Sequence, residues 1–224
     1  MQHPCASVLF FVGLTGMAKP TETMGIHEGG KRPFVPRPPA PFAAAVYPAK
    51  KGDRAGLARF VNALKKANVR VGGLLQEKIL MGQDGMQRVE AVDIATGKRI
   101  PINRPTPEKW RNQVCSLDVS ALAETTASLR QAIQDKVELI VVEKFGDAER
   151  DGEGLTDEIL QAIAAGIPVV IAVPDTNLDI WNARSGGMGD VVSCDEEELR
   201  RWWAAVRCEN RGLAVDNFDK SFAW

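Results

Sequence analysis

The stretch VELIVVEKFGDAERDGEG, residues 137–154, decides how the rest of the chain is read. Leu139, Ile140, Val141 and Val142 make a short apolar run between a helical pattern ending near Asp135 and a polar, glycine-containing turn. A run of that length and flanking reads as a strand buried on both faces, and such strands belong to parallel sheets. Glu143, Lys144, Phe145 and Gly146 follow at once, so they arrive at the carboxyl edge of the sheet, where open α/β folds place their ligands.

Downstream, Leu155, Ile159, Leu160 and Ile163 mark a helix closed by Gly166, and residues 167–173 (IPVVIAV) form a second buried strand. Together they make a β-α-β unit. Residues 178–183 read as a short helix, 185–189 as a flexible loop, and 196–206 as a last helix packed through Leu199, Trp202 and Trp203. Upstream, residues 42–47 (FAAAVY) are a compact apolar strand. Leu57, Phe60, Val61 and Leu64 then recur at helical spacing, with Asp53 as the expected N-cap. Residues 69–75 (VRVGGLL) read as another strand, whose Gly72 and Gly73 allow close approach by a neighbouring backbone or a ligand. Residues 87–93 and 99–103 flank a turn and predict a hairpin appended to the sheet. A helix over 120–134 turns Leu122, Leu129 and Ile133 inward. The strands at 42–47, 138–143 and 167–173 are expected to be neighbours in a mainly parallel sheet with helices on both faces.

Length and composition limit what is built around that sheet. A chain of 224 residues suits one α/β domain, assigned to 42–206, with tails on either side. Residues 1–41 contain Pro4, Pro20, Pro33, Pro36, Pro38, Pro39 and Pro41 and read as a disordered leader, and 207–224 read as a C-terminal tail without period. A net charge of −1 with scattered Lys and Arg provides no field for a polyanion, so nucleic acid is not an expected partner. Residues 8–12 are apolar, but they are too few to span a membrane and no cation precedes them. Cys5, Cys115, Cys194 and Cys208 share no metal-binding spacing and read as reduced thiols of a cytoplasmic protein, with Cys115 as packing. His3 and His27 both fall in the leader, which leaves the domain without imidazole for acid–base catalysis, nucleophile activation or metal ligation.

The turn between the first strand and its helix, residues 48–54 (PAKKGDR), stands where a nucleotide-binding α/β fold carries its glycine-rich phosphate loop. A working loop needs small residues to wrap phosphates in backbone N–H groups, a Lys for the terminal phosphates and a hydroxyl for magnesium. Here only Gly52 remains of that pattern, and Asp53 and Arg54 follow it. Lys50, Lys51, Gly52 and Arg54, beside a helix amino terminus, still form a candidate anion site, with Lys144 and Gly146 contributed by the central strand.

The blocks GGLLQE, DIATGKRIPI, CSLDVSALAE, LIVVEKFGDAERDGEGLTDEI, AAGIPVVIAV and LDIWNARSGG, in that order, resemble a bacterial family of uncharacterised proteins related to small nucleoside-triphosphatases of P-loop fold. The similarity covers about residues 42–206 and implies a P-loop-NTPase-like three-layer sandwich. In the triphosphatase relatives the block matching Glu143 to Gly146 follows the Walker B strand, where acidic groups help hold magnesium and orient water. Glu143 is therefore the catalytic candidate if the chain hydrolyses nucleotides. The departure at residues 48–54 sets the main expectation: a non-hydrolysing or weakly active binding or regulatory protein for a small anionic ligand, either a nucleotide with Mg2+ or an oxyanion such as molybdate. A link to molybdenum metabolism is implied by the resemblance alone. The alternative is a divergent nucleoside triphosphatase or phosphotransferase, with Lys51 or Arg54 replacing the Walker lysine and Glu143 as magnesium ligand or base. A homo-oligomer or a protein partner stays open.

Overall fold

Alternating apolar residues send each central strand's side chains to two separate cores, and helices close both. The computed structural model describes residues 40–50, 53–81, 85–112, 118–144, 146, 149 and 154–210. In chain order these form β1 (Phe42–Tyr47), α1 (Ala55–Lys66), β2 (Val71–Leu80), β3 (Gln87–Asp93), β4 (Arg99–Pro101), α2 (Pro107–Arg111) and α3 (Val119–Gln134). They continue with β5 (Leu139–Val142), α4 (Thr156–Ala164), β6 (Val169–Pro174), a 3-10 turn (Asp175–Asn177), α5 (Leu178–Arg184), β7 (Asp190–Ser193) and α6 (Glu196–Asn210). The seven strands make one sheet in the order β4-β3-β2-β5-β6-β1-β7.

From β2 to β7 every neighbouring pair is parallel. The expected adjacency is present: β5 pairs with β6 through Ile140 and Val169, and β6 pairs with β1 through Val169 and Phe42. On one face Ala43, Ala45 and Tyr47 of β1 meet Leu57, Phe60 and Leu64 of α1 and Leu199 and Trp202 of α6. On the other, Phe42 and Ala44 meet Leu129 of α3, Ile159 of α4 and Trp181 of α5. This is a three-layer α/β/α sandwich. The alanines of β1 leave room for the bulky residues of both helical layers, since packed interiors hold few voids.

Several sequence expectations are corrected. The strand expected at 69–75 runs on to Leu80 and pairs antiparallel with β3, so the appended unit is a β2-β3-β4 meander. The edge strand β7 had no counterpart in the sequence reading. Asp53 is not the N-cap of α1; Arg54 holds that position, and Asp53 accepts a hydrogen bond from the Ala55 N–H at 3.0 Å one residue earlier. Leu160 points outward, while Thr156, Ile159, Ala162 and Ile163 form the buried face of α4. In α3, Leu129 is buried and Ile133 half-buried, with Ala121, Thr125 and Ala132 completing the inner face; the Leu122 side chain lies outside the described residues. The last helix extends past 206 to Asn210. The leader read at 1–41 ends earlier: Ala40 is buried and donates its N–H to the Ile163 carbonyl, and the Pro41 carbonyl accepts from Val169 N–H, so both residues belong to the domain. Residues 1–39, the tail beyond 210, Lys51, Gly52, Cys115 and Phe145 lie outside the described residues.

Gly73 does what its sequence position implied. It sits at φ +112°, and a Cβ there would stand 2.0 Å from the Val141 carbonyl oxygen, so the close approach is to the backbone of β5. Among the described residues no helix is long and apolar enough to cross a membrane.

Candidate functional site

The chain leaves β1 for α1 on one face of the sheet and leaves the adjacent β6 for α5 on the other. Connections that diverge from neighbouring parallel strands open a crevice at their carboxyl ends, the topological switch point where α/β folds bind ligands. A cleft of about 520 Å³ lies there. Tyr47 and Ala49 line it from the end of β1, Arg54 from the start of α1, Lys144 and Gly146 from the end of β5, and Pro174, Thr176, Asn177 and Ile180 from the segment after β6. Lys78 closes it from β2. That strand pairs with β5 only from Val71 to Leu74 but continues beside β3 to Leu80, so the arm projects past the carboxyl edge and carries Lys78 to the cleft.

Glu143 organises the floor. Its N–H donates to the Leu74 carbonyl at 3.0 Å, which extends the β5 ladder by one bond and fixes the side chain at the mouth of the sheet. The residue is buried. Oε1 accepts from Arg54 Nε at 3.0 Å, and Oε2 accepts a short hydrogen bond from the Gln76 N–H. Burial pushes the Glu143 carboxyl above its ordinary value, against the opposing pull of the Gln76 amide and the Arg54 guanidinium. Burial alone would lower Arg54, but its bonds to Tyr47 and Glu143 outweigh that and raise it. The same guanidinium lies 5.2 Å from the Tyr47 ring centroid, and Nη1 donates to the phenol oxygen at 3.4 Å. Arg54 is thus held on three sides before any ligand arrives.

The loops around it are cross-tied. Asp175 Oδ1 accepts from Ala49 N–H at 3.0 Å and from Thr176 N–H at 2.9 Å, joining the turn after β1 to the turn after β6. The buried Glu149 accepts from Gly146 N–H at 2.8 Å and from Leu155 N–H at 3.3 Å, anchoring the β5–α4 connection. Behind the floor, Gly56 lets α1 approach the β7–α6 junction: a Cβ there would meet the Cys194 carbonyl oxygen at 2.4 Å. Burial pushes the Cys194 thiol up to about 11, so it is a packing group and not a nucleophile at neutral pH.

Among the described residues the cleft is lined by three cationic side chains, Arg54, Lys78 and Lys144, and by no carboxylate. Such a surface attracts anions. Of the candidates read from sequence, Arg54, Lys144 and Gly146 come together here, Lys50 sits exposed on the turn away from the lining, and Lys51 and Gly52 lie outside the described residues. Lys78 was missed, because Gln76, Glu77 and Lys78 are consecutive polar residues without alternation and their strand shows only in the pairing with β3.

Magnesium, which a P-loop relative would use, takes oxygen ligands with free lone pairs. Glu143 holds Arg54 and the Gln76 N–H, Asp53 and Asp175 accept backbone amides through Oδ1, and none of the three lines the cleft. Among the described residues no group of three or more His, Cys, Asp or Glu is placed to hold a metal ion, so they do not fit a magnesium site at this edge.

The model of a family of proteins of unknown function, DUF2478, matches residues 42–202. The chain is also similar to the molybdenum import ATP-binding protein ModC 2 of Bradyrhizobium diazoefficiens, with 35% identity over 161 residues. That stretch is 72% of this chain and 18% of the relative, so the chain spans under a fifth of the length of the protein it matches. No solved structure matches.

Proposed function

This chain belongs to the DUF2478 family, and on that premise we propose that it is a P-loop-like binding or regulatory module that takes up a nucleotide or small oxyanion at the β1/β6 switch point without hydrolysing it. The observation that carries the proposal is the Arg54–Glu143 pair at the base of a cation-lined cleft. Phosphoryl transfer needs a Lys and a hydroxyl at the end of the phosphate loop and a free acidic group after the Walker B strand. Asp53 and Arg54 replace the first two, and Glu143 is spent on holding Arg54. What remains suits binding, which demands less geometric exactness than transfer.

The relative's name supports a ligand or a role near molybdate handling. Because the shared stretch is 18% of that protein, the ATP binding in its name has most of another chain in which to reside.

The test joins two assays on the full chain. Nucleotides, phosphate, sulfate, molybdate and tungstate are screened for a rise in melting temperature, since a ligand that binds only the folded state stabilises it. ATP and GTP are then incubated with magnesium and product phosphate is measured. Stabilisation by at least one anion with no hydrolysis above background is expected. Hydrolysis that disappears in Glu143→Gln would assign the site to a divergent triphosphatase instead.

A further inference from the structure

We infer that the ligand is a nucleotide-sized phosphate ester bound free of metal, its charge met by Lys78, Lys144 and Arg54, which line the cleft together. The inference rests on the cleft being an anion site and goes on to say in which form the anion is held. Two observations carry it. The first is the mismatch between the fold's usual cation and the groups present: among the described residues no carboxylate lines the cleft, while three cationic side chains do. A Mg2+–phosphate complex carries less net negative charge to the cations, and its coordination demand meets no carboxylate among the described lining residues. A metal-free phosphate brings two or more negative charges and finds charge-assisted donors. The second is size and composition. A cleft of about 520 Å³ is within the range of pockets that enclose an organic ligand and is far larger than one tetrahedral oxyanion needs. Its cations come from β2, α1 and the end of β5, whereas the segment after β6 adds Pro174 and Ile180 as an apolar wall with Thr176 and Asn177 beside it. The ligand therefore has a charged end and an organic end.

Lys78 is the distinctive element. It comes from the projecting arm of β2, outside the positions from which a P-loop fold takes its phosphate contacts, and as an exposed residue it is removable without disturbing the core.

Isothermal titration of the full chain with AMP, ADP and GDP, each in EDTA and again with excess magnesium, tests this against inorganic phosphate and molybdate as bare-anion arms. Saturable binding of at least one nucleotide in EDTA is expected, weakened several-fold by magnesium, tighter than either bare anion, and about tenfold weaker in Lys78→Ala. Ile180→Ala should weaken the nucleotide and leave phosphate unchanged. Binding that strengthens with magnesium, or phosphate or molybdate binding as tightly as every nucleotide, overturns the inference while leaving an anion site in place. Absence of binding by all five probes overturns both this inference and the reading beneath it.

Discussion

Replacing Arg54 with Met isolates the contribution of the pair at the base of the cleft. The substitution keeps much of the aliphatic length and removes the one side-chain partner, among the described residues, of a carboxylate that is 9% exposed at its side chain, against 13% for Arg54. Removing one member of a buried pair costs about 3–5 kcal/mol, because the other charge is left desolvated. Glu143 keeps its Gln76 N–H bond and has protonation as an escape, so the lower end, about 3 kcal/mol at pH 7, is the expected loss. For a domain of this size that is a fall of about 6–12 °C in melting temperature. Combining it with Glu143→Gln removes the stranded charge and should recover all but about 1 kcal/mol, so the two changes are strongly non-additive. The sign of the pH dependence follows from burial. The folded-state value of Glu143 lies above its unfolded value, so protonation favours the native state: stability from this group is present at low pH and is lost as pH rises through the folded value. Without Arg54 the value climbs further, and the gap between variant and parent should narrow from pH 7 to pH 5. Urea unfolding at both pH values, read as a shift in midpoint at constant slope, measures all of this. Additive losses, or a gap that does not change with pH, would refute the claim that Arg54 neutralises a buried Glu143.

Three further outcomes are expected. Gly73→Ala should cost about 2–5 kcal/mol in thermal or urea unfolding, because it combines a φ of +112° with a Cβ 2.0 Å from the Val141 carbonyl oxygen; an unchanged midpoint would show that β2 and β5 do not approach as described. Cys194, with its thiol pushed up to about 11, should resist alkylation at pH 8 in the native protein and react on unfolding, as followed by peptide mapping; rapid native labelling would contradict its burial. A chain beginning at Arg37 keeps Ala40, which is buried and donates its N–H to the Ile163 carbonyl at 3.1 Å, and should melt within a few degrees of the full chain; a larger fall would show that the proline-rich leader packs.

The central sheet was legible because its strands are buried on both faces. LIVV at 139–142 and VVIAVP at 169–174 are apolar throughout, and that excess of β-branched residues marks parallel strands at any position in the chain. The edge strand DVVS at 190–193 carries no such mark, since Val191 is 54% exposed and only two of its residues are apolar. The far half of β2 escaped for a related reason: beyond Leu75 it leaves the parallel sheet, exposes Glu77 and Lys78 and reads as polar loop. With it went Lys78, the cation of the cleft that sequence reasoning did not name. The charges that follow β1 and β5 pointed to one edge of the sheet, and Arg54 and Lys144 line one cleft there. That Arg54 and Glu143, 89 residues apart, satisfy each other was not legible, because pairing between elements depends on which loops the fold brings together and leaves no local period.

The most direct test of the cleft as an anion receptor is calorimetric titration of ADP, in EDTA and at low salt, into the parent chain and into the double variant Lys78→Ala, Lys144→Ala. Both lysines are exposed, so the variant should fold and melt like the parent. Saturable binding to the parent, and its loss in the variant to less than about a hundredth of the affinity, is expected from the removal of two charge-assisted contacts. Equal affinity in the two proteins would contradict the account, since it would put the anion somewhere other than the β1/β6 cleft.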